Sequence, residues 1–344
     1  YHVPHPTYVL RYILLAVGLI VLCLLVWNVG PGNIYEAASN LGLSTLFLIL
    51  IPSVLMYVIE AYGWKIVLGQ AAQGVSFWSL LTIRTAGGGV NMTTPTAFIG
   101  GEPLKVYLLN KNYQVPISEG GASVVIAKTT MTIAEVVYIL GGVAAGFWLL
   151  GSGASAGQTI AAALLSVGLL VCSIVGFVFI QQRGLFASIL SLFQKLQIRI
   201  LALEAQEEHL RSIDRTILNF YSEHRRPFYA SIGVYFVGWL AESLEVFGII
   251  YALGGSISFL AAISIGAFAV FIKGGAFFIP GSLGAQEAGN VLLLQAFGYS
   301  DVTGITFALL RRFREVVWIG IGLVCLALVG KRRLSKGHRA ESPS

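Results

Sequence analysis

Apolar residues run through this chain in blocks of membrane-spanning length, separated by Gly/Pro-rich interruptions. Crossing the hydrocarbon core takes about 20 mainly apolar residues. The stretches 10–29, 43–65, 118–150, 158–181, 228–252 and 303–330 meet that requirement. Two further segments, 76–112 and 257–299, are built differently. Each has two short apolar arms around a centre that breaks helices, GGGVNMTTP in the first and KGGAFFIPGSLG in the second. Arms of about 12–20 residues are short for a span and suit a re-entrant hairpin.

These blocks repeat. A shift of 185 residues carries Glu60, Gly63, Leu68, Gly69, Pro95 and Glu102 onto Glu245, Gly248, Leu253, Gly254, Pro280 and Glu287 without a gap. Paired, Gly/Pro-interrupted apolar segments in corresponding halves mark the binding site of transporters built from repeats. The expected organisation is an N-terminal transmembrane helix (1–30), a first repeat (43–150), a helix at 158–181, a helical segment at 182–227, a second repeat (228–330) and a basic tail (331–344). The fold class is an all-α polytopic membrane protein with an inverted structural repeat: about six transmembrane helices plus two opposed re-entrant hairpins.

Composition agrees. Hydrophobic residues make up 56% of the chain and charged residues 11%, against roughly 25% charged in a soluble domain. Cys23, Cys172 and Cys325 lie in apolar runs and read as small packing residues, with no zinc spacing or disulfide framework. The run from Tyr12 to Trp27 reads as a retained helix rather than a signal peptide.

Charge placement sets the topology. With both odd segments returning to the side they left, the linkers 30–42, 151–157, 253–258 and 299–302 share one side and contain no Lys or Arg. Arg11, Lys65, Lys105, Lys111, the 183–226 segment and the KRRLSKGHR tail fall on the other. The positive-inside rule makes that second side cytoplasmic, with both termini. The hairpins then enter from opposite faces. Within 182–227, Leu210, Ile213, Ile217 and Phe220 recur at helical spacing, which predicts an amphipathic helix at the cytoplasmic interface.

Ionisable groups in membrane segments are costly and mark pathways. Candidates for binding a lipid or anion are Arg84, Asn91, Thr94, Lys128, Lys273, Arg311, Arg312 and Arg314, where Arg forks and Lys point charges suit phosphate oxygens. Glu102, Glu287, Glu60 and Glu245 are the candidate coupling or gating carboxylates, with neutralisation of Arg and Lys as the alternative role for Glu102 and Glu287. Pro95, Gly100, Gly101, Pro280, Gly281 and Gly284 shape the hairpin tips, where helix starts after each proline direct N–H groups inward. The cations outnumber the two tip glutamates, and that surplus points to an anionic ligand. The structural alternative is mutual pairing: Glu315 with Arg311 or Arg312 on one helix, Lys128 with Glu135, and Glu242 as a helix contact.

TTPTAFIGGEPLKVYLL, PGSLGAQEAG and the RRFREVVWIGIG helix resemble the flippase-like membrane family that includes the membrane half of lysyl-phosphatidylglycerol synthases and hopanoid-associated relatives. The likeness covers about residues 10–330. It implies movement of a phospholipid or related polar lipid between leaflets of a bacterial inner membrane. It also implies that Thr94, Pro95, Gly100, Gly101, Glu102, Pro280, Gly281, Gly284 and Glu287 are the motif positions. Only a basic tail follows Gly330, so aminoacyl transfer is not expected of this chain.

The leading expectation is therefore a lipid flippase, with a phospholipid, hopanoid or polyprenyl-phosphate substrate crossing by alternating access. No cofactor, metal or nucleic acid is expected. Expected partners are the lipid itself, further copies of the chain, or lipid-synthesis enzymes. The competing readings are an intramembrane enzyme acting on a lipid headgroup and a non-catalytic partner of a lipid-synthesis complex. The enzyme reading lacks a nucleophile set, since Ser282 has no histidine near it in sequence.

Overall fold

The computed structural model describes residues 43–93, 100–150, 175–188, 207–275 and 285–337, with a few isolated positions elsewhere. Among the described residues the chain is helical, without strands. The first set of helices is α1 (Leu43–Leu68), α2 (Phe77–Thr93), α3 (Gly101–Tyr113) and α4 (Ile117–Leu150). After α5 (Glu207–Glu223) come α6 (Arg225–Ala252), α7 (Phe259–Gly275), α8 (Ala285–Ala296) and α9 (Asp301–Gly337). Under the 185-residue shift, α1 to α4 fall on α6 to α9 in order, with boundaries displaced by only a few residues.

Local chemistry explains where these helices begin and stop. Ser76 Oγ accepts the Ser79 N–H at 3.2 Å ahead of α2. Ser258 Oγ takes the Ala261 N–H at 3.1 Å ahead of α7, and Ser300 Oγ takes that of Thr303 at 3.2 Å in the first turn of α9. These are N-caps for donors that a helix start leaves unpaired. The repeat-related Gly69 and Gly254 follow the ends of α1 and α6 with φ of +54° and +79°. Side chains with a Cβ rarely adopt that conformation, and it stops both helices at the same register.

Among the described residues three helical stretches are long and apolar enough to cross a membrane, Ile49–Ala72, Ile117–Leu149 and Arg225–Ala252, and Phe259–Gly275 is a shorter apolar helix. These match the spans expected at 43–65, 118–150 and 228–252. The stretch expected at 303–330 is helical throughout but differs from a uniformly apolar span. Arg311, Arg312, Arg314 and Glu315 are all buried in α9. The spans expected at 10–29 and 158–181 lie largely outside the described residues, as do the hairpin centres 94–99 and 276–284.

Packing is reciprocal. The main pairing is α1 against α6, α2 lies on α9, and α7 lies on α4. Small residues permit these approaches. A Cβ on Gly63 would sit 2.9 Å from the Tyr235 ring, and one on Gly89 would sit 2.9 Å from the Cα of Gly322. Apolar residues gather in two large clusters. Trp64, Leu80, Tyr138 and Tyr235 belong to one, and Ile49, Ile249, Ile265 and Phe307 to the other. Along α1, α6 and α9 the buried charges fall between residues of these two clusters, so hydrocarbon flanks a polar layer on those helices.

The helix expected at the cytoplasmic interface is present as α5, but its apolar face does not lie open. Ile213, Ile217 and Phe220 pack on Val67, Ala122 and Ile126 of α1 and α4. Asp214 is buried and accepts the N–H groups of Phe186 (3.1 Å) and Ala187 (2.8 Å). Gln181 donates to Thr129 Oγ1 at 2.8 Å and accepts from Tyr221 at 2.6 Å. Burial pushes the Tyr221 phenol up to about 12, so it stays a hydrogen-bond donor.

Candidate functional site

The polar layer surrounds a cavity of about 330 Å³ lined from both helix sets, by Glu60, Arg84, Lys128, Glu135, Lys273 and Arg311 among others. A smaller cavity of about 90 Å³ shares Glu60, Arg84, Asn91 and Lys128 with it and adds Glu102 and Lys105. The two are neighbours that share this stretch of wall.

One wall is a four-residue lattice between α6 and α9. Glu242 and Glu245 lie three residues apart, as do Arg311 and Arg314, so each pair presents one helical face. Arg311 donates to Glu242 and Arg314 to Glu245. The diagonals are looser, at 3.8 Å for Arg311–Glu245 and 3.7 Å for Arg314–Glu242. Glu245 is 1% exposed, so its carboxylate has no water to fall back on. A second chain of charges runs from Lys273 to Glu315 (2.6 Å), from Glu315 to Arg312 (2.6 Å) and from Arg312 to Glu287 (2.6 Å).

The opposite wall belongs to α1 and α2. Arg84 is ion-paired with Glu60. Its guanidinium sits 3.8 Å from the centroid of Tyr57, which stacks on Trp318 at 3.6 Å. Trp318 in turn donates to Ser53 Oγ at 2.9 Å. Cation–π stacking of this kind holds an arginine plane in one orientation. Asn91 joins the end of α2 to the start of α3. It donates to Glu102 Oε1 at 3.1 Å and accepts the Gly101 N–H at 2.6 Å. Glu102 also pairs with Lys105, which lies over the Trp64 ring.

Residues 11–323 match the family described as the lysylphosphatidylglycerol synthase TM region. The chain belongs to this family. It is also similar to a UPF0104 membrane protein of Methanothermobacter thermautotrophicus, with 24% identity over 113 residues. That match spans 33% of each chain, so it covers about a third of the relative's length. No solved structure matches. Membership in the synthase TM-region family makes this a membrane protein with a lipid-related role, and the polar layer is where that role can be sought.

Several sequence expectations change once the partners are visible. The supposed surplus of cations is absent. Arg84, Lys105, Lys273, Arg311, Arg312 and Arg314 each face a glutamate, because Glu60, Glu242, Glu245 and Glu315 join the two tip glutamates. Arg312 turns to Glu287 and Glu315 rather than standing free for a ligand. The same-helix partner of Glu315 is Arg312, and Arg311 goes to Glu242 instead. Lys128 and Glu135 form no ion pair with each other, because seven residues separate them by about 10 Å of helix rise. Asn91 bridges α2 and α3, so its amide is occupied, and it takes one of the N–H groups expected to face a ligand. Gly100 and Gly101 open α3, and Gly101 abuts the backbone of Gly87. Thr94, Pro95, Pro280, Gly281 and Gly284 lie outside the described residues.

Sequence reasoning missed Lys105, although Glu102-x-x-Lys105 is the spacing of an i,i+3 pair on a helix. It also missed the facing doublets Glu242/Glu245 and Arg311/Arg314, whose equal spacing was the available signal. Nothing in the sequence flagged the Tyr57–Trp318 stack, which joins residues 261 positions apart. Among the described residues no group of three or more His, Cys, Asp or Glu could hold a metal ion.

Proposed function

We propose that the protein carries a polar lipid between leaflets, with the headgroup passing through the central cavity while the acyl chains stay in hydrocarbon. The observation that carries this reading is a charge-lined cavity, walled by both helix sets and flanked along α1, α6 and α9 by apolar residues, in a chain of a lipid-related membrane family. Hydrated, ion-paired cavities at mid-depth are where membrane proteins handle polar cargo.

The two helix sets are read as an inverted repeat, with one hairpin entering from each face. The 185-residue correspondence and the reciprocal packing of α2 on α9 and α7 on α4 support it. In this reading the repeats exchange roles: opening one half to its leaflet closes the other. Both termini are placed on the cytoplasmic side of a bacterial inner membrane, and the chain acts as a transporter rather than an enzyme.

The test is transfer of headgroup-labelled lipids across proteoliposomes, compared with liposomes lacking protein. Accelerated leaflet exchange of at least one polar lipid is expected, and exchange no faster than in empty vesicles for a broad panel would refute transport. Orientation is checked on the same preparation. Cysteines at Ser155 and Ser300 should react with an impermeant reagent from outside, and cysteines at Glu207 and Ser335 only after permeabilisation. Outside labelling at Glu207 would place both hairpins on one face and end the inverted-repeat reading.

A further inference from the structure

Two charged residues stand apart in the polar layer. Among the described residues, Lys128 has no carboxylate within ion-pair distance and Glu135 has no cation within it, yet both line the 330 Å³ cavity. They lie on one face of α4, two turns apart, with Met131 and Thr132 between them on the cavity wall. The other charges that face Glu135 are Glu242 on α6 and Lys273 on α7, and these are held by Arg311 and Glu315. The lining therefore offers one open positive and one open negative position in a site whose remaining charges cancel.

We propose that this cavity selects a lipid headgroup bearing one phosphate and one ammonium, with no net charge. This assignment rests on the transport reading above and names its cargo. The phosphate sits at Lys128 and the ammonium at Glu135. Arg84 supplies a second phosphate donor: its Nη2 is engaged by Glu60, while its Nη1 is buried without a hydrogen-bond acceptor. Gly88 keeps that approach open, since a Cβ there would stand 3.6 Å from Nη1. A cavity of this size is at the lower end of the roughly 300–1,000 Å³ found for small-ligand sites, which suits a headgroup and not a whole lipid.

Charge balance supplies the selectivity. A purely anionic headgroup satisfies Lys128 and Arg84 but leaves Glu135 without a counter-charge in a low-dielectric wall. A headgroup with a second ammonium introduces a positive charge for which no open carboxylate remains. Uncompensated charge in such a place is strongly disfavoured, so both should be discriminated against. This is specificity by rejection as much as by attraction.

Direct binding separates this inference from transport. The full chain in detergent is titrated with dioctanoyl phosphatidylethanolamine, dioctanoyl phosphatidylglycerol and dioctanoyl lysylphosphatidylglycerol, followed by tryptophan fluorescence, since Trp239 and Trp318 line the cavity. The ethanolamine lipid should bind about tenfold more tightly than either of the others. Glu135→Gln should erase its advantage over the glycerol lipid, and Lys128→Gln should weaken both. Equal affinity of the unmodified protein for the ethanolamine and glycerol lipids overturns the assignment, as does a preference that Glu135→Gln leaves intact. The unmodified protein's own preference decides the matter even if a variant fails to fold. Preference without transfer in proteoliposomes refutes transport alone, and transfer without preference refutes this headgroup alone.

Discussion

Replacing Arg314 with leucine should destabilise the folded protein by about 3–5 kcal/mol, the usual cost of stranding a buried ionised partner. The stranded group is Glu245, 1% exposed, whose next cation is Arg311 at 3.8 Å. Removing both ends, as Arg314→Leu with Glu245→Leu, should recover most of that loss, because two apolar side chains can replace an ion pair in such a setting at little net cost. Lys128→Leu provides the contrast. It lines the same cavity but has no carboxylate within ion-pair distance among the described residues, so its melting should stay near that of the unmodified protein. Thermal melting in detergent reads all three. An unchanged melt for Arg314→Leu would show that the lattice between α6 and α9 is not a structural clasp, and Arg314 would return to the ligand-binding set.

Glu102→Gln and Glu287→Gln should each slow lipid transfer about tenfold or more, equivalent to roughly 1.4 kcal/mol in the barrier. The double variant should be little worse than either single one. Glutamine keeps the size of glutamate and can still accept the Asn91 amide, so the change tests the charge that holds Lys105 on α3 and Arg312 on α9. The two positions are equivalent under the 185-residue shift but pair differently, with a neighbour on α3 and with the long helix α9. If both serve one cycle, their effects overlap instead of adding. Near-normal transfer in both singles, at matched protein levels, would remove them from the mechanism and leave the cavity residues to carry it.

Much of this architecture was legible in the residues. The spans expected at 43–65, 118–150 and 228–252 follow from unbroken apolar blocks, which are a local signal. The charged layer was legible as a list of ionisable positions in apolar surroundings. Its wiring was not, because partner choice depends on which faces of α6 and α9 meet. Arg311 and Glu242 are 69 residues apart, and only the crossing of their helices brings them together. Counting cations against the tip glutamates alone suggested an anionic ligand, since Glu60, Glu242, Glu245 and Glu315 were not yet assigned to partners. The docking of α5 was hidden for a similar reason. An amphipathic face suits lipid and protein equally, and here Ile213, Ile217 and Phe220 meet α4.

The central claim is that lipid headgroups pass through the cavity between the two helix sets, and obstruction tests it most directly. Thr132 lines the cavity on α4 between Lys128 and Glu135 and carries no charge. In a background with Cys23, Cys172 and Cys325 replaced by serine, a Thr132→Cys variant is reconstituted and its lipid transfer measured before and after reaction with a bulky maleimide. Transfer should continue in the unreacted variant and fall to the protein-free rate once the adduct fills the cavity. Undiminished transfer after complete modification would contradict the account, because the lipid would be crossing somewhere else.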